Sequence, residues 1–261
     1  MENQIQTIQS NHVTFTVPSG YTYTIREQNG ADDDILSNPA EVADLMNISR
    51  FIAGIIVDTD YTSSRKITPE EVHKLPVLDK WAILFKSRIH SLGNILEFEY
   101  DWGKENGGKV NYEQDLNEYL FDYSQEPTEE LINSKPEAIP YYPLGKQYKN
   151  IEFTTSKGNI LKFDLITTHG ENYIAKLPLD KRTKNQALIA RGICLNVDGK
   201  WEKITNFSMF GVKEMSEIRL KVAAIDPTFR GTTIVENPNY PDERTEISLL
   251  AAKDFFFLGE I

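Results

Sequence analysis

Strand-type alternation followed by helical periodicity occurs twice in this chain, and this repetition limits the fold more than any other sequence feature. The first half opens with two short runs in which apolar and polar residues alternate, 13–17 and 21–25, separated by Pro18-Ser19-Gly20. The second half opens with NIEFTTSKGNILKFDLI (150–166), in which a turn at 157–159 separates two similar runs. This alternation around a glycine-containing turn predicts a β-hairpin at the start of each half.

Helical periodicity follows each of these hairpins, because apolar residues recur at spacings of three and four. We predict helices in four places: from Val42 to Ile56, from Asp79 to Ser91, from Thr183 to Cys194, and from Val212 to Ile225. Each half then returns to strand-type alternation, in ILEFEYDW (95–102) and in GTTIVENPNYPDERTEISLL (231–250). The second of these strings is predicted to form a hairpin with a proline at its tip.

The two halves are separated by residues 124–145, which contain four prolines and cannot form one long regular element. We therefore predict an N-terminal module at 1–123, a proline-rich linker at 124–145 and a C-terminal module at 146–261. The segment 51–68 also aligns with 188–205 without a gap, and both end in Lys-Ile-Thr. The predicted fold class is α+β, with two similar modules (hairpin, helix, helix, strand or hairpin) that arose by internal duplication.

Composition narrows the function classes. The 261 residues carry a net charge of −11, and an acidic surface repels phosphate backbones, so nucleic acid is not predicted as a partner. No stretch approaches the roughly 18 apolar residues that a membrane span needs, and the N-terminus lacks the pattern of a secretory signal. Cys194 is the only cysteine and cannot form an internal disulfide, which favours a reducing cytoplasm.

The string EYDWGKENGGKV (99–110) raises the question of a nucleotide site, because Gly103, Gly108 and Lys109 nearly match a P-loop. A P-loop requires Ser or Thr after the lysine to hold Mg²⁺, and this chain has Val110 there. A calcium loop would need a ligand at the position of Gly103. We interpret the string as a hairpin tip whose glycines provide turn conformations.

A sharper alternative rests on IIVDTDYT (55–62). An apolar run followed by Asp58-x-Asp60 matches the first motif of haloacid-dehalogenase-like phosphohydrolases, in which the first aspartate accepts the phosphoryl group. That motif requires a buried parallel strand, whereas the apolar run here continues a helical pattern, which predicts Asp58 at the end of a helix. The aspartates 32–34 allow either a metal site or a helix N-terminus, and the second is favoured because carboxylates stabilise that end of a helix.

Several strings together resemble a known family. YTYTIREQNGADDDIL (21–36) and LDKWAILFKSRIHSLGNILEFEYDW (78–102) are similar to the opening and to the Asp-initiated helix of baseplate hub assembly proteins of T-even-like contractile-tailed bacteriophages. MSEIRLKVAAIDPTFRGTTIVENPNYPDERTEISL (215–249) and the closing DFFF resemble the second helix, the hairpin and the aromatic end of that family. The resemblance covers most of the chain, and its individual motifs are short.

The resemblance implies a non-enzymatic protein that docks onto tail hub, baseplate or tape-measure proteins, in the host cytoplasm during assembly. Family members often carry Cys-x-x-Cys pairs at two hairpin tips, but this chain has 101–104 (DWGK) and 237–240 (NPNY) there. We therefore predict no metal, no cofactor and no catalytic residue. Homo-oligomerisation and retention in the finished baseplate are left open, as are the phosphohydrolase built on Asp58 and Asp60 and an adaptor unrelated to phages.

Exposed aromatic side chains are favoured contact residues in interfaces. The predicted partner-binding residues are Trp102, Tyr240, Phe255, Phe256 and Phe257. For the last three, the other interpretation is favoured, in which the aromatic triplet is a final strand that closes the core. Each assignment depends on whether the side chain is exposed.

Overall fold

The computed structural model describes residues 11–40, 45–251 and 255–256. These residues combine helices with antiparallel strand pairs, which confirms the predicted α+β class. The helices are α1 (Gly30–Ser37), α2 (Asn47–Ile55), α3 (Pro69–Val72), α4 (Val77–Leu92), α5 (Glu129–Ser134), α6 (Thr168–Lys176), α7 (Lys184–Ala190) and α8 (Val212–Ile225). Short 3₁₀ turns lie at Lys104–Asn106, Leu116–Tyr119, Leu179–Lys181 and Leu249–Ala251.

The described strands form four small antiparallel sheets. The strands are β1 (His12–Thr16), β2 (Thr22–Arg26), β3 (Ile56–Thr59), β4 (Ile95–Asp101), β5 (Lys109–Asp115), β6 (Ile151–Thr154), β7 (Ile160–Phe163), β8 (Cys194–Val197), β9 (Lys200–Lys203), β10 (Thr232–Asn237) and β11 (Tyr240–Ser248). Their orders are β1-β2-β3, β4-β5, β6-β7-β8-β9 and β10-β11. The hairpins predicted at the start of each half and at 231–250 are therefore present.

The helix predicted from Val42 to Ile56 corresponds to α2 (Asn47–Ile55), and Val42 lies outside the described residues. The helix ends at Ile55, and Ile56–Thr59 form β3, which pairs with β2 and places Thr24 opposite Asp58. The prediction that Asp58 ends a helix is wrong. β-Branched residues are compatible with either structure, and pairing with β2 satisfies the backbone of this segment, so the tertiary contact overrides the local pattern.

The two halves share most of one order of elements, but the short helix α3 precedes α4 whereas the strand β9 precedes α8. A hairpin (β1-β2 or β6-β7) is followed by helices, by a strand that pairs with the hairpin's second strand (β3 or β8), by a long helix (α4 or α8) and by a second hairpin. The third residue of each long helix is a buried acid, Asp79 or Glu214, that accepts hydrogen bonds from the turn of the first hairpin. Internal duplication stays a prediction, and this matching order supports it.

Residues 124–145 are packed rather than extended between the halves. They contain the short helix α5, and Ile139 and Tyr142 are buried in the same apolar cluster that includes residues of both halves. The hydroxyl of Tyr142 accepts a hydrogen bond of 3.1 Å from the backbone N–H of Leu78, at the start of α4. The proposed linker thus contributes to the core, and the division into two modules remains a prediction.

Candidate functional site

The second hairpins of the two halves lie side by side, and we call β4-β5 with β10-β11 the twin hairpin. The hydroxyl of Thr233 donates to Oε1 of Gln114 at 2.7 Å. The hydroxyl of Tyr112 donates to the carbonyl of Glu236 at 2.8 Å. These contacts join strands that are more than 100 positions apart in sequence, so the twin hairpin is a product of tertiary structure.

The tips of the twin hairpin also touch. Asn237 donates from Nδ2 to the carbonyl of Asn106 at 2.9 Å, and the hydroxyl of Tyr240 donates to the carbonyl of Glu105 at 3.3 Å. Gly107 has φ +100° and lies against the side chain of Asn239, where a Cβ would clash. Polar and backbone contacts therefore hold together the two tips that the sequence had placed at matching positions.

Two predicted contact residues, Trp102 and Tyr240, belong to this surface. Tyr240 is 46% exposed. Trp102 is half-buried, since its ring packs edge-on against Tyr100 at 4.9 Å and its Nε1 donates to the hydroxyl of Tyr112 at 2.8 Å. The structure therefore leaves Tyr240 accessible and Trp102 partly so.

The aromatic residues at the end of the chain are placed differently. Phe255 is fully buried, with its ring 5.5 Å from Phe85 of α4, so its predicted role as a partner contact is wrong and its alternative role, closing the core, agrees with the structure. Phe256 is half-buried and lies 5.8 Å from Phe51 of α2. The physical reason is that these rings complete the apolar cluster around α4. Phe257 lies outside the described residues.

Sequence reasoning missed Ile234, which is 68% exposed on β10. The alternation in TTIVEN carried the signal, because Thr233 and Val235 are buried and the residue between them must face outward. The exposed positions of β4-β5 are mainly acidic. Glu97, Glu99, Asp101 and Glu113 are all exposed, and Lys109 pairs with Glu99 at 2.6 Å. The twin hairpin thus combines exposed apolar side chains with a negatively charged face.

Asp58 and Asp60 are engaged in structural contacts. The guanidinium of Arg65 pairs with both carboxylate oxygens of Asp58, and this hydrogen bonding lowers the pKa of Asp58. Asp60 accepts from the backbone N–H of Thr22 at 2.6 Å and pairs with Lys146 at 2.7 Å. Burial opposes ionisation of Asp60, but these partners outweigh it and lower its pKa. Both residues lie on or beside an antiparallel strand, whereas the phosphohydrolase motif requires a parallel one.

The structure brings together two histidines that are far apart in sequence, His73 and His169. Their ring centroids are 5.7 Å apart, and the backbone N–H of His169 donates to the carbonyl of His73 at 3.1 Å. Burial and the neighbouring His169 lower the pKa of His73. The hydroxyl of Ser49 lies 3.2 Å from Nδ1 of His73, in a contact that joins α2 to α3. The pair links the two halves near the isolated bridge between Pro76 and Thr167.

Within 11–40, 45–251 and 255–256, no group of three or more His, Cys, Asp or Glu side chains has the geometry of a metal site. None of the helices described there is long and apolar enough to cross a membrane. Comparison of the chain with protein-family models, with curated proteins and with solved structures finds no match.

Proposed function

We propose that this protein is a non-enzymatic factor in the assembly of the tail baseplate or hub of a contractile-tailed bacteriophage. In this proposal it acts in the host cytoplasm by docking onto a hub, baseplate or tape-measure protein. The family resemblance of the sequence supports the phage role. The twin hairpin supports the docking role, because hydrogen bonds hold its two hairpins together and it carries exposed apolar side chains.

The observation that carries the docking role is the pairing of the two tips. Tyr240 is held by its hydroxyl on the carbonyl of Glu105, so its ring has a fixed position although the side chain is 46% exposed. A rigid, exposed aromatic ring loses little conformational entropy when a partner covers it. Ile234 on the same hairpin adds a second apolar side chain that no element of the described chain covers.

The negative charge of the twin hairpin indicates what kind of partner surface it would bind. The exposed carboxylates of Glu97, Glu99 and Glu113 lie on one hairpin of a chain whose net charge is −11. Such a face attracts a basic surface and repels a second acidic copy of this chain. The proposed partner therefore presents an apolar patch bordered by Lys or Arg.

Co-expression with individual hub, baseplate and tape-measure proteins of a contractile-tailed phage tests this proposal. The bait is the full chain, wild type or with Ile234→Ser and Tyr240→Ala together. The matched control is Leu179→Ser, which removes an 81% exposed apolar side chain far from the hairpins in sequence. We expect at least one tail protein to co-purify with the wild type and the control. The double variant should co-purify about a tenth or less of the tail protein that the wild type does, because exposed anchor residues dominate binding energy.

Circular dichroism and melting temperature establish that the variants are folded. Two results would contradict the proposal. One is that none of these tail proteins co-purifies with the wild type. The other is that the double variant retains its partner as well as the control does, which would place the docking surface elsewhere.

A further inference from the structure

A groove of about 520 Å³ lies between α7 and α8 in the C-terminal half. Its wall includes Leu188 of α7 and Leu220, Ala223 of α8. Leu188 is buried, but Leu220 is 69% exposed, so the open side of the groove is apolar. The volume falls within the range of pockets that take drug-sized ligands or a few side chains.

The matching place in the N-terminal half is occupied. The shared order of elements aligns α8 with α4 by their buried acids, and this alignment sets Leu220 against Phe85. Leu188 aligns with Phe51 in the gapless match of 188–205 with 51–68. Phe85 packs against Phe255, and Phe51 packs against Phe256. Phe255 and Phe256 therefore cover the N-terminal counterpart of the groove.

Side-chain size explains why one site is closed and the other open. On α4 the aligned face carries three bulky residues, Trp81, Phe85 and Arg88. On α8 the same positions are Ser216, Leu220 and Ala223. The smaller residues leave space between α7 and α8 that nothing in the described chain fills.

Two polar atoms of groove residues lack partners. The Nε of Arg219 and the Oδ1 of Asp226 are buried, and neither has a hydrogen-bond partner among the described residues. One is a donor and the other an acceptor. A buried polar atom without a partner is costly. The groove thus offers apolar contact beside two buried polar side chains whose hydrogen bonding is incomplete.

The groove is also basic, although the whole chain is acidic. Lys184, Arg191 and Arg219 line it, and Asp226 is the acidic residue among its lining residues. Arg191 pairs with Oδ2 of Asp226 at 2.6 Å, which leaves the charges of Lys184 and Arg219 to attract a carboxylate. Charge complementarity therefore favours an acidic occupant.

We propose that the α7–α8 groove binds a segment of a partner protein in which an acidic residue precedes two or more aromatic residues. In the N-terminal half, Phe255 and Phe256 contact the aligned helices, and in the sequence Asp254 precedes them. A partner supplies the segment rather than a second copy, because Phe255 is fully buried in its own chain and its transfer would empty that site. The inference uses no residue of the twin hairpin and stands whether or not the protein acts in tail assembly.

Fluorescence anisotropy with the labelled peptide AKDFFFLGEI (252–261) tests the proposal on the full chain. We expect saturable binding by the wild type and a loss of about tenfold or more in Leu220→Glu, since this charge would lie in the apolar wall. The matched control is Val212→Glu on the same helix, where an 88% exposed apolar side chain lies outside the groove. It should bind within about twofold of the wild type. A peptide with the three phenylalanines replaced by alanine should not bind.

Light scattering on the same samples identifies the source of the segment. We expect wild type and Leu220→Glu to be monomeric at the concentrations used. A wild-type dimer that Leu220→Glu dissociates would overturn the proposal and make a second copy the occupant. The absence of saturable binding up to about 1 mM peptide, or equal binding by Leu220→Glu and Val212→Glu, would also overturn it.

Discussion

The carboxyl group of Asp79 should make the stability of this protein fall between weakly acidic and neutral pH. Asp79 is fully buried near the start of α4, and its two oxygens accept hydrogen bonds from the N–H and the hydroxyl of Ser19, at 3.0 Å and 2.6 Å. Burial raises the pKa of Asp79 to about 7, although the hydrogen bonds from Ser19 oppose this shift. The folded protein therefore holds a proton that the unfolded chain releases at its ordinary pKa of 3.8.

Proton linkage determines whether stability rises or falls with pH. Between about pH 4 and pH 7 the folded state binds more protons at Asp79 than the unfolded state, so the free energy of unfolding decreases as pH rises. The two pKa values differ by about three pH units, and each is equivalent to about 1.4 kcal/mol. The contribution of Asp79 present below pH 4 and lost by pH 7 is therefore about 4 kcal/mol.

Asp79→Asn removes the titration but keeps one acceptor oxygen for Ser19. We expect the variant to be less stable than the wild type by about 1 kcal/mol at pH 4.5, because one hydrogen bond is lost. At pH 8 it should be the more stable of the two, by a few kcal/mol. Urea denaturation followed by tryptophan fluorescence between pH 4.5 and 8 measures both values.

Glu214→Gln is the matched control, since Glu214 occupies the corresponding position of α8. Burial opposes its ionisation, but hydrogen bonds from Asn159 and Thr155 and the ammonium of Lys157 outweigh burial and lower its pKa. Glu214 therefore stabilises the fold at pH values above its pKa in the unfolded chain. This stabilisation is lost as pH falls through its pKa in the folded protein. The two substitutions should change the pH dependence in opposite directions. Parallel pH profiles for the wild type and Asp79→Asn would refute the assignment of a raised pKa.

Two further substitutions test the packing around α4. Gly231→Ala should lower the free energy of unfolding by about 3 kcal/mol, because φ is +62° and a Cβ would lie 2.6 Å from Cζ3 of the buried Trp81 ring. Gly199→Ala should lower it by about 1 kcal/mol, because Gly199 also has a positive φ but open space where a Cβ would lie. Equal costs for the two, measured by urea denaturation, would contradict the contact. Phe255→Ala should cost about 3 to 5 kcal/mol, whereas Tyr240→Ala on the surface should change stability by less than about 1 kcal/mol. A loss below 1 kcal/mol at Phe255 would show that its ring does not complete the core.

Local sequence patterns were sufficient to predict the hairpins at the start of each half and the two long helices, α4 and α8. The helix predicted from Val212 to Ile225 has those bounds in the structure, because its apolar spacing and the following Asp226-Pro227 are both local signals. The prediction starts α4 at Asp79 rather than at Val77 and assigns the beginning of β3 to a helix. It also extends α7 to Cys194, whereas the helix ends at Ala190 and Cys194 begins β8. In β3 the deciding interaction is pairing with β2, more than 30 positions away, which periodicity does not contain.

The candidate sites could be predicted only in part, for the same reason. The residues at the hairpin tips, Trp102 and Tyr240, could be named from their type, but the contact between the tips joins positions over 130 apart. The burial of Phe255 depends on the ring of Phe85, and the sequence left core and surface as alternatives for it. The exposure of Ile234 was readable from strand alternation once β10 was assigned.

The long helices α4 and α8 differ in what covers them. In the N-terminal half, Trp81 and Phe85 of α4 meet Phe229 and the C-terminal Phe255, and the aromatic rings close that half against solvent. In the C-terminal half, Leu220 stands at the position of Phe85 and is exposed. Because the hydrophobic gain from burying rings is large, the closed half is the one expected to resist unfolding. In the proposed binding groove, an equally large aromatic residue at Leu220 would fill the space that the smaller residues of α8 leave open.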